Sequence, residues 1–182
     1  MIIGSLPFVV YLKMIHGNWK TFFNDDQIKL FFALIIVIIL LTTFWLSFNS
    51  SENYLYLFRI SAFNITSILT GTGYSSSDFS LWGGFGLVIM FIIMFIGGCA
   101  GSTTCGIKIF RVQILYLFLK NQLKKIIYPR GIFVIKYDNN NVNEKFMASI
   151  ISFIYLYIII FFIIAALLSL SGLDFTTSIS GA

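Results

Sequence analysis

The sequence predicts an all-α membrane protein: a helix–pore loop–helix repeat with a re-entrant pore helix and an interrupted second helix. Three observations predict it. The chain is 58% hydrophobic and only 10% charged, where a soluble domain carries about 25% charged residues. Residues 30–51, 79–107 and 146–173 contain no Asp, Glu, Lys or Arg, and each reaches the roughly 20 residues that a spanning helix requires. The Lys and Arg residues, finally, are unevenly placed between these stretches. One all-apolar helix fits the core of a soluble protein; three in a chain of 182 residues do not. The opening "MIIGSLPFVVYLK" lacks the basic leader of a secretory signal.

Charge placement orients the chain. Lys13, Lys20 and Lys29 precede the first charge-free stretch. Lys108, Arg111, Lys120, Lys124, Lys125, Arg130, Lys136 and Lys145 lie between the second and third, and only Arg59 lies between the first and second. Lys and Arg collect in cytoplasmic loops. The N-terminal loop and residues 108–145 are therefore expected inside, and residues 49–80 and the C-terminus outside. The net charge of +5 flanks membrane spans, which makes it a topology signal and argues against a nucleic-acid partner.

The elements follow in order. Residues 1–15 read as the end of a preceding transmembrane helix, 16–29 as a cytoplasmic loop, and 30–48 as a plain spanning helix. Asn49, Ser50 and Ser51 are N-cap residue types that place a new helix start near Glu52. Residues 54–69 then form a helix about 24 Å long, short of the roughly 30 Å apolar layer. The chain is already outside before Asn53 and crosses inward only at 81–96, on its way to Lys108. Residues 54–69 must therefore enter and return on the same side.

Irregular backbone at membrane depth survives only where protein buries it or water lines it, so the turn after this helix implies a pore or cavity. The candidate strip is Thr70, Gly71, Thr72, Gly73 and Tyr74. Carbonyls in such a strip can replace an ion's water shell, and glycine reaches the backbone angles that align them. The C-terminal end of the preceding helix is partially negative and favours a cation. "TGTGY" alone also fits an external turn between two short helices; the topology favours the filter.

A second unusual stretch, "GGCAGSTTCGIK", covers 97–108. Gly97, Gly98, Gly101 and Gly106 with Ser102, Thr103 and Thr104 break the helix near or within the membrane, and discontinuous helices line transport sites. Gly101 and Gly106 have the spacing of a nucleotide-binding loop, but Ile107 stands where its lysine belongs and Lys108 comes one residue late. Gly97 and Gly101 form the G-x-x-x-G of close helix packing, which leaves the Ser-Thr-Thr run unexplained. Cys99 and Cys105, with Ala100 among the residues between them, lack zinc spacing and read as buried free thiols. His16 is the only histidine, so no metal site is expected there. No paired acid and base or partnered nucleophile suggests an enzyme. Residues 109–128 continue as a helix that Pro129 and Gly131 end. "KYDNNNVNEK" is a polar turn, and 146–173 cross outward.

These blocks together resemble the Trk/Ktr/HKT superfamily of potassium transporters, nearest its bacterial TrkH branch. "GSLPF" (4–8) resembles the end of that family's second repeat and "FRISAFNITSILTGTGYSSSDFSLWG" (58–83) its third pore loop. "GGCAGSTTCGIKIFR" (97–111) resembles the intramembrane loop that interrupts the third repeat's second helix. "YPR" (128–130) and "GLDFTTSISGA" (172–182) resemble the linker and the start of the fourth repeat. The resemblance implies a multi-pass protein of the bacterial inner membrane. Residues 30–128 would be one helix–pore loop–helix repeat, 129–145 a cytoplasmic linker, and 146–182 the truncated first helix of another.

It further implies that Thr70, Gly71, Thr72, Gly73 and Tyr74 are one quarter of a potassium filter. Gly97, Gly98, Cys99, Ala100, Gly101, Ser102, Thr103, Thr104, Cys105 and Gly106 would be the gate loop beneath, with Lys108 and Arg111 just past it. Potassium would be the transported substrate, with no bound cofactor. The expected partners are the lipid bilayer, a second copy when the protein is complete, and a cytosolic nucleotide-binding regulatory subunit. Gly71 departs from a usual threonine, Cys105 from a usual glycine and Tyr128 from a usual histidine. One filter quarter of four points to a fragment of a transporter. The alternative is a truncated, transport-inactive membrane protein from a split or degenerate gene.

Overall fold

The structure, a computed structural model, describes residues 1–128, 131, 135–137 and 140–182, without the side chains of Ser80, Asn140 and Glu144. It comprises two compact units, Met1–Phe110 and Arg111–Ala182. The first opens with a 3-10 turn, Ile2–Ser5, and continues as α1 (Phe8–Ile15), α2 (Lys20–Asn24), α3 (Asp26–Asn49) and α4 (Tyr54–Leu69). A second 3-10 turn, Phe79–Trp82, leads into α5 (Gly83–Met94). Residues 1–15 are thus two helical pieces rather than one helix end. Pro7 separates them because its fixed φ suits a helix entry and not a helix interior.

Helix α3 starts earlier than its apolar run suggests. The Asp25 carboxylate accepts the Gln27 and Ile28 amide N–H groups at 2.8 and 3.3 Å, which meets the need of the first helical turn for acceptors. Lys29 and Asp26 pair across that turn at 3.1 Å. Residues 16–29, expected as a loop, therefore hold α2 and the first turn of α3.

One stripe of α3 (Phe31, Ile35, Ile39 and Leu46) is buried. Its spacing of four and seven residues keeps it on one face, where it packs with Leu57, Ile65 and Leu69 of α4. Ser61 of α4 is fully buried, and a side chain this small lets helices approach closely. The other face of α3 exposes Ile36, Val37, Leu40, Leu41, Phe44 and Phe48. In water that face would be an aggregation surface; against lipid tails it costs nothing. Thr42 and Thr43 return their hydroxyls to the Ile38 and Ile39 carbonyls, so neither leaves an unmet polar group in the core.

Helix α4 occupies the expected residues. Asn53 caps its start by accepting the Leu55 N–H at 3.3 Å. Helix α5 is shorter than the expected 81–96. The Trp45 indole N–H donates to the Trp82 carbonyl at 3.0 Å and the Trp45 ring lies 4.8 Å from that of Phe85, so the start of α5 is fastened to α3.

The second unit carries α6 (Ile109–Ile127), whose first two residues belong to the first unit. A small antiparallel pair follows, β1 (Lys136–Tyr137) with β2 (Asn140–Asn141), and then α7 (Glu144–Leu170) and α8 (Phe175–Ser180). Lys136 pairs with Asn141 and Tyr137 with Asn140, before the α7 cap. Pro129, expected with Gly131 to end α6, lies outside the described residues, as does Arg130. Asn143 caps α7 by accepting the Lys145 N–H. By length and composition, α3 and α7 can each cross a membrane; α4 and α5 are apolar but shorter.

The α3 cap yields a test. Asp25→Ala is expected to cost about 1 kcal/mol of stability, while Asp25→Asn, which keeps the acceptor, stays near the parent. Unfolding of both variants in mixed detergent micelles measures the difference.

Candidate functional site

Two breaks between short helices hold most of the candidate residues. The first follows α4. Thr70 ends the helix, Gly71 takes a left-handed φ of +67°, and two bonds close the end: Gly71 N–H to the Ile68 carbonyl and Thr72 N–H to the Ser67 carbonyl, both 3.0 Å. This is the Schellman closure. Gly71 therefore has a definite task, since a Cβ strains a left-handed residue by about 1–2 kcal/mol. Gly73 has φ +74° with open space where its Cβ would be.

Hydroxyls line the turn. Thr70 Oγ1 donates to the Thr66 carbonyl at 2.7 Å, and Thr72 Oγ1 lies 3.2 and 3.3 Å from the hydroxyls of Ser67 and Thr70. Thr70 is buried, whereas Gly71, Thr72, Gly73 and Tyr74 are exposed, Tyr74 by 70%.

The far limb of this loop returns to α4 through Asn64, which sequence reasoning missed. Its side chain is buried among apolar neighbours. The amide nitrogen reaches the Ile60 carbonyl (3.0 Å) and the hydroxyls of Ser76 and Ser77 (3.1 Å each), and the amide oxygen accepts the Ser76 N–H at 3.0 Å. An amide in a largely apolar helix, followed by a serine run, was the available signal.

The second break separates α5 from α6. A parallel bridge closes its base: Gly97 N–H donates to the Ile107 carbonyl and Ile107 N–H to the Phe95 carbonyl, at 2.9 and 2.8 Å. Gly97 is thus part of a closed loop neck, with no helix running on to Gly101. A Cβ at Gly97 would collide with the Cys105 carbonyl, and one at Gly98 would meet Thr104 Oγ1 at 2.6 Å and the Ser5 carbonyl at 2.7 Å. Gly101 and Gly106 both have positive φ, +72° and +88°.

Inside the neck four backbone groups find partners from distant elements, and the Gly98 N–H finds one within the loop. Cys99 N–H donates to the Ser5 carbonyl (2.9 Å) and Thr103 N–H to the Gly4 carbonyl (3.1 Å). Phe8 N–H donates to the Gly101 carbonyl at 3.1 Å. Ala100 N–H donates to the Gln27 side-chain oxygen at 2.9 Å, and Gly98 N–H to Thr104 Oγ1 at 2.8 Å. The N-terminal residues and the first turn of α3 therefore strap the segment in place. Gln27, Gly4, Ser5 and Phe8 were not among the expected site residues.

Cys99 is fully buried as expected; Cys105 is exposed, because the loop turns its face outward beside Gly71. A Cβ at Gly71 would stand 3.9 Å from the Cys105 backbone nitrogen, so the two breaks meet. Lys108 belongs to the second loop. Arg111 is in the other unit, where its guanidinium lies 3.6 Å from the centre of the Phe153 ring, a cation–π contact. Among the described residues no group of three His, Cys, Asp or Glu could hold a metal ion.

Two short helices, each ending in a glycine-bearing loop, beside an apolar helix long enough to span, define a helical membrane protein with discontinuous segments. The TrkH family of cation transport proteins matches residues 1–180, and the chain belongs to that family. The Trk system potassium uptake protein TrkI of Halomonas elongata is 37% identical over 182 residues, all of this chain and 37% of that protein. TrkH of Escherichia coli K12 is 24% identical over 176 residues, 96% of this chain and 36% of that protein. The crystal structure of the potassium transporter TrkH from Vibrio parahaemolyticus superimposes with a TM-score of 0.91 at 25% identity, over 98% of this chain and 39% of that one. The chain thus spans little more than a third of these relatives.

The loop neck separates two glycine substitutions. Gly97→Ala is expected to destabilise by about 1–3 kcal/mol through overpacking. Gly84→Ala, in α5 with open space around it, is expected to be neutral or stabilising by about 0.5 kcal/mol. Paired unfolding curves in the same detergent check the opposite signs.

Proposed function

We propose that this chain is part of a potassium-uptake protein of the bacterial inner membrane, supplying one filter loop and the gate segment beneath it. The meeting of the two glycine-bearing breaks at Gly71 and Cys105 carries the reading, because it puts a potential carbonyl strip directly against a potential closure. In this reading α4 enters from outside and returns, and the carbonyls of Thr70, Gly71, Thr72, Gly73 and Tyr74 take the place of part of a potassium ion's water shell. The exposure of residues 71–74 supports this, since a quarter filter must leave its inner face open for the other quarters.

The segment 97–106 closes the path when uptake is off. Potassium is the substrate and no bound cofactor takes part; the ion moves down its electrochemical gradient without enzyme chemistry. Residues 16–29 and 108–145 face the cytoplasm, where Lys120, Lys124 and Lys125 lie near the docking face of a nucleotide-binding regulatory subunit. The complete protein works as a homodimer. The alternative, a transport-inactive truncated membrane protein, rests on the share of the relatives that the chain spans.

Complementation separates the two. A potassium-uptake-deficient host is expected to grow at low potassium when the chain is joined to the flanking segments that its relatives carry, and not with the chain alone. Failure of the completed protein removes the transport reading. In the completed protein, Gly73→Ala is expected to lower the potassium-over-sodium flux ratio, because a Cβ strains a left-handed residue by about 1–2 kcal/mol and shifts the neighbouring carbonyls. An unchanged ratio contradicts the filter assignment.

A further inference from the structure

The Lys108 ammonium is held by four oxygens of one short stretch. It donates to the Ser102 carbonyl at 3.0 Å and hydroxyl at 3.2 Å, and to the Thr104 carbonyl and its hydroxyl, the latter at 3.3 Å. The cage is wired into the buried side of the loop. Ser102 Oγ donates to the Cys99 carbonyl at 2.6 Å and stands 2.9 Å from Thr104 Oγ1, which accepts the Gly98 N–H. Cys99 itself has no exposed surface. Two carbonyls and two hydroxyls around a compact monovalent cation resemble the oxygen shell that proteins offer potassium. A lysine ammonium is such a cation, a point charge on a flexible stem, and hydrogen bonds from it are about twice as strong as neutral ones.

We propose that Lys108 is the positioning residue that latches segment 97–106: its ammonium is a tethered monovalent cation seated in a cage of Ser102 and Thr104 oxygens, and withdrawing it frees the segment. The latch rests on this geometry; that its release alters ion passage rests on the gate reading above. The cage explains the Ser102-Thr103-Thr104 run, which glycine packing left without a role. It also accounts for the one-residue offset that excludes a nucleotide-binding loop, since from position 108 the ammonium returns to the loop's own oxygens. Arginine fits this task poorly, because its planar fork of donors is not a point charge.

Thiol labelling of the full chain in lipid bilayers tests the latch without requiring transport. In a Cys105→Ser background only Cys99 remains to react. Lys108→Ala is expected to raise the Cys99 labelling rate by about tenfold or more in choline chloride, the scale of losing a charged hydrogen bond. Potassium chloride at the same concentration should slow it again towards the parent rate, because the vacated oxygens take a free cation. An unchanged rate overturns the latch. So does a fast rate that is equal in potassium and choline, which reports general loosening rather than an emptied cage. If the latch passes but the completed protein carries no potassium flux, the gate reading fails and the latch stands.

Discussion

A helix end leaves backbone N–H and C=O groups without intrahelical partners, and the two breaks of the first unit answer that constraint. The break after α4 is closed locally. Gly71 turns left-handed, two amides return to the last turn, and Asn64 holds the far limb. The break after α5 is closed from afar, by the carbonyls of Gly4 and Ser5 and by the Gln27 side chain. The short N-terminal pieces and the early start of α3 are thereby parts of the same site as the glycine loop.

This division explains what could be read from the sequence. The end of α4 was legible because its determinant is local, a glycine after Thr70; its cap is Asn53 rather than the expected Asn49, Ser50 or Ser51. The break at 97–106 was legible from its glycines. The start of α3 was not, because Asp25, Asp26 and Lys29 look like loop charges until Asp25 is seen as a cap. The strap was illegible for a stronger reason. Gly4 and Ser5 act through backbone carbonyls, which every residue has, so no residue type marks them. Cys105 was misjudged because its burial depends on which way the loop turns, a property of the closed neck and not of the flanking apolar run.

Membership of the TrkH family gives the two breaks a common setting. The C-terminal end of α4 is partially negative and leads into a run of hydroxyls and carbonyls, with Gly73 free of side-chain crowding. The segment against it is tied at its neck and strapped to the N-terminal residues. Lys108 brings a cation of its own to a place rich in oxygen acceptors.

The central claim is that distant backbone and side-chain partners, rather than lipid exclusion, order segment 97–106. Amide hydrogen exchange of the chain in bilayer discs tests it most directly. Cys99, Ala100 and Thr103 should exchange as slowly as the centre of α3, and Gln27→Leu should speed Ala100 selectively, since it removes that amide's acceptor. Exchange at all three as fast as at the exposed Gly73, or no change at Ala100 in the Gln27 variant, would contradict the account.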